Sequence, residues 1–402
     1  MQLIGNPQPD PPPFAREANR GGTVGVEHES HKHSVVVVGC GNIGSHLVPH
    51  LGRMRGTTRV TLIDLDLYEE KNLSSQDITP RDVGKPKAAV QACRLRRVNP
   101  ALEVIAVPDA VENVPLARLR ATVILACLDS RAARRHVNRI AWRLGVPWID
   151  AGVQNEDLLA RVNVYVPQPQ QPCLECAWDE RDYQTLEQTY PCDNGGPPSQ
   201  PTNASSSIGA LAASLQAVEC QKLLSGQWEW AAVGRQVLIN ASGHKHYVTK
   251  FGHNPECRFD HQVWHIEPID APPEKLTLGQ ILALGRQASG TPDVLSVRVA
   301  GQTFAKRVTC HGCGRTQDVH LRITGRLRPG ERRCAACDGE MRATGFDMIE
   351  WLHPAELPRV TLERSLRSFG IRLGDVVRLS TAEGERHFEI GTGETWGVRR
   401  KA

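Results

Sequence analysis

The run Val35-Val36-Val37-Val38-Gly39-Cys40-Gly41-Asn42-Ile43-Gly44 decides the fold. Four consecutive β-branched residues specify a buried strand of a parallel sheet. The glycines at G-x-G-x-x-G spacing turn that strand into a helix. Residues without a Cβ let the backbone approach a phosphate, and the helix N-terminus then faces it. About twenty residues on, Val60-Thr61-Leu62-Ile63-Asp64 reads as a second strand ending in an acid placed to hold ribose hydroxyls. The glycine pattern alone is a weak signal, common to many nucleotide-binding βαβ units.

The rest of the composition narrows the class. A chain of 402 residues is long enough for two or three domains. Its 40% hydrophobic and 23% charged content is ordinary for a soluble globular protein, and a net charge of +4 is too small to argue for nucleic acid. No apolar run approaches the roughly 20 residues of a membrane span, and no signal-peptide core opens the chain, so a cytoplasmic protein is expected. Twelve cysteines, several in C-x-x-C pairs, read as thiolate metal ligands in a reducing compartment rather than a disulfide framework. Residues 1–33 carry no apolar periodicity and read as a loose arm, with His28, His31 and His33 as solvated tail residues.

The segment after Asp64 separates a dehydrogenase from an ATP enzyme. An NAD site needs one acid for the ribose. Here Asp66, Asn72, Gln76 and Lys87 gather around the same crevice, and a lysine there neutralises a triphosphate, which NAD lacks. The next strand, Ala121 to Leu128, ends in Asp129 at the edge of that crevice. A carboxylate there suits Mg²⁺, which takes one or two protein carboxylates plus phosphate oxygens. The competing role for Asp129 is N-cap of the helix from Arg131 onward.

These motifs together resemble the ThiF/MoeB family of ATP-dependent activating enzymes, which includes the ubiquitin-activating enzymes. The similarity runs from about Ser34 to about His261 through Gly39-x-Gly41-x-x-Gly44, Asp64-x-Asp66, Asn72-Leu73-x-x-Gln76, Gly84-Lys85-x-Lys87 with Asn99-Pro100, and Asp129 with Arg134 and Asn138. The resemblance implies that Asp64 holds the ATP ribose, that Asn72, Gln76 and Lys87 contact phosphates, and that Asp129 takes Mg²⁺. One position departs from the pattern. Ser75 stands where the family carries an arginine that steadies the triphosphate. Arg81, or Arg16 and Arg20 reaching from the arm of a dimer partner, are the expected replacements.

Cys173-x-x-Cys176 is half of a structural zinc site, since such sites want four ligands. Where similar proteins carry the second pair, this chain has Cys257 and then His261, giving an expected Cys₃His set. His253, Asp260 and His265 also lie within reach of the fourth place. Between the halves, about residues 177–205, Tyr190 to Pro198 form a polar, turn-rich loop containing Cys192. The loop precedes a helix matching the family's Leu-Gln-Ala-x-Glu segment at Leu215 to Glu219. Similar enzymes carry a nucleophilic or crossover-loop cysteine there, and a thiol suits acyl transfer. A fortuitous exposed cysteine is the plainer alternative. Cys40, Cys93, Cys127 and Cys220 fall in apolar patterns and read as small core residues.

Beyond about residue 265 a Pro-rich linker leads to a short amphipathic helix, Leu276 to Arg286, and a β-rich segment. Cys310-x-x-Cys313 and Cys334-x-x-Cys337 supply the four thiolates of a zinc ribbon, a structural staple or protein-docking module. Residues 346–402 read as a small β-rich domain with a strand at Pro358–Leu362, loosely resembling the ubiquitin-like fold that ends activating enzymes. The expected fold is thus α/β: a Rossmann-like, mostly parallel adenylation domain (34–265) with an embedded zinc site, a linker and ribbon (266–345), and the last domain. The cysteine pairs imply two Zn²⁺, and the resemblance implies ATP, Mg²⁺, a ubiquitin-like protein as substrate, a conjugating enzyme as acceptor from a Cys192 thioester, and a homodimer. Sulfur-carrier activation, a dehydrogenase, and a non-catalytic half of a heterodimer are the alternatives.

Overall fold

Alternation along the first strand divides the core between two faces of a sheet. In β1 (His33–Val38), Val35 and Val37 enter one hydrophobic cluster and Val36 and Val38 the other, because successive strand side chains point to opposite faces. The computed structural model describes residues 32–187, 204–289 and 294–391. From β1 the chain continues through α1 (Asn42–Leu51), β2 (Thr57–Ile63), α2 (Lys87–Val98), β3 (Glu103–Val107), β4 (Val123–Ala126), α3 (Arg131–Leu144), β5 (Trp148–Gln154) and β6 (Leu159–Tyr165). Then come α4 (Glu180–Glu187), α5 (Ser206–Leu224), β7 (Arg235–Asn240) and β8 (Lys245–Lys250).

These eight strands form one sheet in the order β3-β2-β1-β4-β5-β6-β7-β8. The pairs from β3 to β5 are parallel, and β6, β7 and β8 add antiparallel. Strand order reverses at β1, with β2 on one side and β4 on the other, which opens a crevice at the carboxyl ends of β1 and β4. Residues of α1, α2 and α5 cover the first face, and those of α3 the second. The helix expected around Leu215–Glu219 is α5. Its buried Gln216 donates to Ala126 O at 3.0 Å and Ile149 O at 2.9 Å, tying off the ends of β4 and β5.

The C-terminal part builds two smaller sheets. β9 (Ile266–Ile269), α6 (Leu278–Ser289) and β10 (Val294–Val299) come first; β11 (Phe304–Cys310), β12 (Thr316–Ile323), β13 (Met341–Arg342) and β14 (Met348–Ile349) hold the cysteine-rich segment; β15 (Val376–Thr381) and β16 (Gly384–Ile390) close it. The second sheet runs β10-β15-β16-β9, and the third β12-β11-β13, with β14 also on β11. The cysteine-rich sheet is therefore an excursion between two neighbouring strands of the second sheet. Ile266 and Val376 enter the cluster on the second face of the large sheet.

Three local expectations change. Pro358–Leu362 is not a strand: Pro358 caps a helical turn, Arg359–Leu362, and Val360 is 67% exposed. Its β-branched residues mimic a strand, but no partner strand covers them among the described residues. Cys93 lies on the exposed side of α2 rather than in the core. The first part of the loop expected at 177–205 is helical, as α4.

Candidate active site

The crevice holds a cleft of about 600 Å³, within the usual range for a small-ligand site. Each glycine of the turn has its own reason. Gly39 sits at φ +95°, and a Cβ there would lie 2.4 Å from Cys127 O. A Cβ on Gly44 would lie 2.0 Å from Gly39 O, so helix and turn pack backbone to backbone. Gly41 instead faces the cleft, with only Gln76 Nε2 near its Cβ position, at 3.9 Å. That open approach is what a phosphate needs.

Asp64 braces the turn. One carboxylate oxygen accepts the Cys40 N–H at 2.6 Å and the other accepts the Asp66 N–H at 2.8 Å. Burial pushes its carboxyl above the ordinary range, against the pull of those hydrogen bonds. Beneath it the Tyr68 hydroxyl donates to Cys40 O at 2.7 Å and accepts from Gln91 at 2.8 Å. Asp66 takes the Lys87 ammonium at 3.0 Å, with the lysine side chain 10% exposed and the aspartate open to solvent. Asn72 is buried beside them, its amide oxygen accepting the Glu69 N–H at 2.9 Å. Gln76 lines the cleft with its buried amide oxygen unpaired among the described residues. The amide nitrogen, 3.9 Å from the Cβ position of Gly41, is the donor that suits a phosphate oxygen.

Across the cleft Asp129 is exposed and makes no hydrogen bond or ion pair among the described residues. The helix cap is its neighbour: Ser130 Oγ accepts the Ala133 N–H at 3.4 Å. The Asp129 carboxylate is thus left for another partner, and its oxygen chemistry fits Mg²⁺. Ser75 is not part of the lining, and neither is Arg81. Arg16, Arg20 and Cys192 lie outside the described residues. The Ala204 carbonyl, just before α5, accepts from Asn42 Nδ2 at 2.9 Å, which seats the start of that helix against the glycine turn.

Sequence reasoning missed part of this cleft. Asp109 and Glu112, on the connection after β3, line it, as does Lys71. So does Arg161, which with Arg134 grips the buried Asp150 at 2.8 and 2.9 Å. No spacing rule couples these residues, because they meet only through the pairing of β5 with β6 and the packing of α3. Arg134 with the Asn138 that follows it was the nearest signal.

The two sulfur-rich sets assemble as expected. The ligand atoms of Cys173, Cys176, Cys257 and His261 lie within 4.8 Å of one another, as do those of Cys310, Cys313, Cys334 and Cys337. Sulfur pairs stand 3.4 to 3.8 Å apart, near the roughly 3.8 Å edge of a tetrahedron with Zn–S bonds of about 2.3 Å. In the first set Cys176 Sγ is 3.2 Å from His261 Nε2, and Asp260 is engaged by Arg143 instead. A hydrogen bond from Cys173 pulls the Cys176 thiol down to about 4, and backbone N–H groups led by Ala336 pull Cys334 to about 6. Cys173 and Cys337 are pushed up instead, so each set holds thiolate and thiol side by side, a donor group that fits a metal displacing the remaining protons. By contrast burial pushes Cys220 up to about 12 and also raises Cys40 and Cys127, leaving them inert thiols.

Comparison with known proteins agrees with this geometry. A family model described as ThiF family matches residues 19–259. The sulfur carrier protein ThiS adenylyltransferase of Escherichia coli (strain K12) is 28% identical over 195 residues, covering 48% of this chain and 72% of that protein. The molybdopterin-synthase adenylyltransferase of the same organism is 27% identical over 227 residues, covering 56% and 85%. Ubiquitin-like modifier-activating enzyme 5 of Oryza sativa subsp. japonica is 26% identical over 185 residues, covering 42% and 44%. With well over half its length matched by one family model, this chain is a member of the ThiF family of adenylyltransferases and activating enzymes.

Proposed function

We propose that this chain uses Mg·ATP to adenylate the C-terminal carboxylate of a small ubiquitin-like protein. The observation that carries the reading is the convergence of Gly41, Asp64, Asn72, Gln76, Lys87 and Asp129 on one cleft. A carboxylate oxygen of the substrate attacks the α-phosphorus. The bond from that phosphorus to the bridging oxygen breaks, and its electron pair leaves with pyrophosphate. The protein's part is positioning and charge neutralisation. Asp64 orients the ribose end, the open face at Gly41 admits the phosphates, Asn72 and Gln76 hold them, and Lys87 offsets their charge. Asp129 would hold Mg²⁺, which supplies Lewis-acid stabilisation of phosphate charge when bound.

The second half of the reading concerns the product. The Cys192 thiolate attacks the acyl carbon, AMP leaves, and the resulting thioester passes to the thiol of a conjugating enzyme. The cysteine-rich sheet and the sheet around it serve as the docking side, each sulfur set holding one Zn²⁺. Two chains pair as a homodimer, which size-exclusion chromatography with light scattering checks. The names of the ThiS and molybdopterin-synthase relatives favour a second reading, sulfur-carrier activation, in which no enzyme thioester forms.

One experiment separates these. The purified chain, Mg·ATP and a small carrier ending in a flexible tail are run on reducing and non-reducing gels, with Asp129→Ala and Cys192→Ala alongside. A reductant-sensitive adduct absent from both variants is the expected result. Pyrophosphate release that needs Asp129 but gives no adduct selects the sulfur-carrier reading. No ATP binding at all overturns both.

A further inference from the structure

Among the described residues, the cleft is short of positive charge for the ligand it is proposed to hold. Its lining carries six carboxylates (Asp64, Asp66, Glu69, Asp109, Glu112 and Asp129) against four cations. Two of those cations are committed, since Arg134 and Arg161 share the fully buried Asp150. Lys87, held on the exposed Asp66, is the inner phosphate cation of the reading above. Ser75 adds none. The remaining cation is Lys71. It sits in the short helix Glu70–Ser74 next to the buried Asn72, and its side chain is 61% exposed. Its ion pair is with Glu69, 2.9 Å away and 60% exposed itself. A pair so open to water is weak and exchanges readily, whereas a triphosphate concentrates several negative charges in one place.

We infer that Lys71 is the terminal-phosphate clamp of this chain, leaving Glu69 to bind the β- and γ-phosphates of ATP. The inference rests on the ATP reading above. Lys71 lines the cleft beside the buried Asn72 and is 61% exposed where Lys87 is 10% exposed, so it meets the outer, more solvated phosphates while Lys87 serves the inner ones. A compact ammonium on a flexible stem suits this swap, since it needs no fixed fork geometry. The same helix offers Asn72 inward and Lys71 outward, a buried hydrogen-bonding group and a mobile charge at adjacent positions.

The test compares equilibrium binding of Mg·ATP and of AMP to the full chain by calorimetry, for wild type, Lys71→Ala, Lys71→Arg and Glu69→Gln. Lys71→Ala is expected to weaken ATP binding at least about tenfold while AMP binding stays within about twofold. Lys71→Arg retains most of the ATP affinity, and Glu69→Gln, freeing the lysine, keeps or raises it. Equal ATP affinity in wild type and Lys71→Ala, with wild type binding ATP well, overturns the inference and spares the ATP reading. Equal losses for ATP and AMP also overturn it, since they mark a merely structural lysine. A wild-type chain that binds no ATP overturns the reading itself.

Discussion

Arg326 and Asp375 hold each other by two hydrogen bonds at the centre of the C-terminal half, their side chains 1% and 2% exposed. The same guanidinium donates to Gly370 O at 3.1 Å and to Asn113 O at 2.9 Å. One side chain thus links the cysteine-rich segment, the second sheet and the connection after β3. Asp109 and Glu112, which line the cleft, lie on that connection. Removing one partner strands a charge out of water, a change worth about 3–5 kcal/mol. Arg326→Met is expected to lower the unfolding free energy by that order in urea titration. Arg326→Met with Asp375→Leu recovers part of the loss, because no lone charge remains. A single-variant cost below about 1 kcal/mol means the pair is not the junction it looks to be.

Metal content follows from the two sulfur sets. Wild-type protein purified without chelator is expected to carry two zinc ions per chain by atomic emission. Cys173→Ser and Cys310→Ser should each lower that to one. A strong chelator should cost the Cys310 set first, since Cys313 and Cys337 are exposed whereas Cys173 is buried among Trp142 and Phe259. Zinc bound to so small a sheet is part of its folding free energy. Stripping it should open the 304–349 segment to protease while the large sheet stays resistant.

How far the sequence reveals the molecule depends on whether its signals are local. Val35–Gly44 specifies a strand, a turn and a helix within ten residues, and each glycine has the contact its spacing implies. Asp129 was open to two roles in the sequence; Ser130 takes the cap. Cys173 and Cys176 were readable as half a metal site from their spacing, but Cys257 and His261 only through the resemblance, because Cys257 lies 84 positions along the chain from the Cys173 it meets. Tertiary pairing was not readable. Asp150 meets Arg161 only because β5 and β6 turn antiparallel, and β9 joins β16 across more than a hundred residues. Neither periodicity nor spacing encodes such partners. Val360 and Thr361 misled because β-branching favours strands only where a pleated neighbour covers them.

The three glycines make a graded prediction. Gly44→Ala places a Cβ against the Gly39 carbonyl, and Gly39→Ala adds a left-handed backbone to a clash with Cys127 O. Both clashes are with backbone, which cannot step aside, so each variant is expected to lose several kcal/mol or fail to fold. Gly41→Ala has room, with Gln76 Nε2 as its nearest neighbour. It should unfold within about 2 °C of wild type yet bind ATP roughly tenfold or more weakly, because the methyl group occupies the phosphate's approach. Thermal melts and calorimetry on the three read the gradient. Normal ATP affinity in Gly41→Ala would remove the phosphate from that face.

His387 makes the stability sensitive to acid. Its ring stacks on Trp264 at 4.1 Å, with its buried Nε2 making no hydrogen bond among the described residues. Burial first, then Arg378, Arg143 and His265, push its pKa down from 6.5 to about 4, and Glu385 at 4.0 Å is the facing acid. Between those two values the unfolded chain takes up a proton that the folded chain refuses. Stability from this group is therefore complete above pH 6.5 and falls as the pH drops toward 4. By pH 5 the loss amounts to about 2 kcal/mol. His387→Phe keeps the stack on Trp264 and cannot titrate. Urea titrations at about pH 7.5 and pH 5 should show wild type losing about 2 kcal/mol more than this variant. Equal losses would mean that the imidazole finds a proton acceptor in the folded state, with Glu385 the group to replace next.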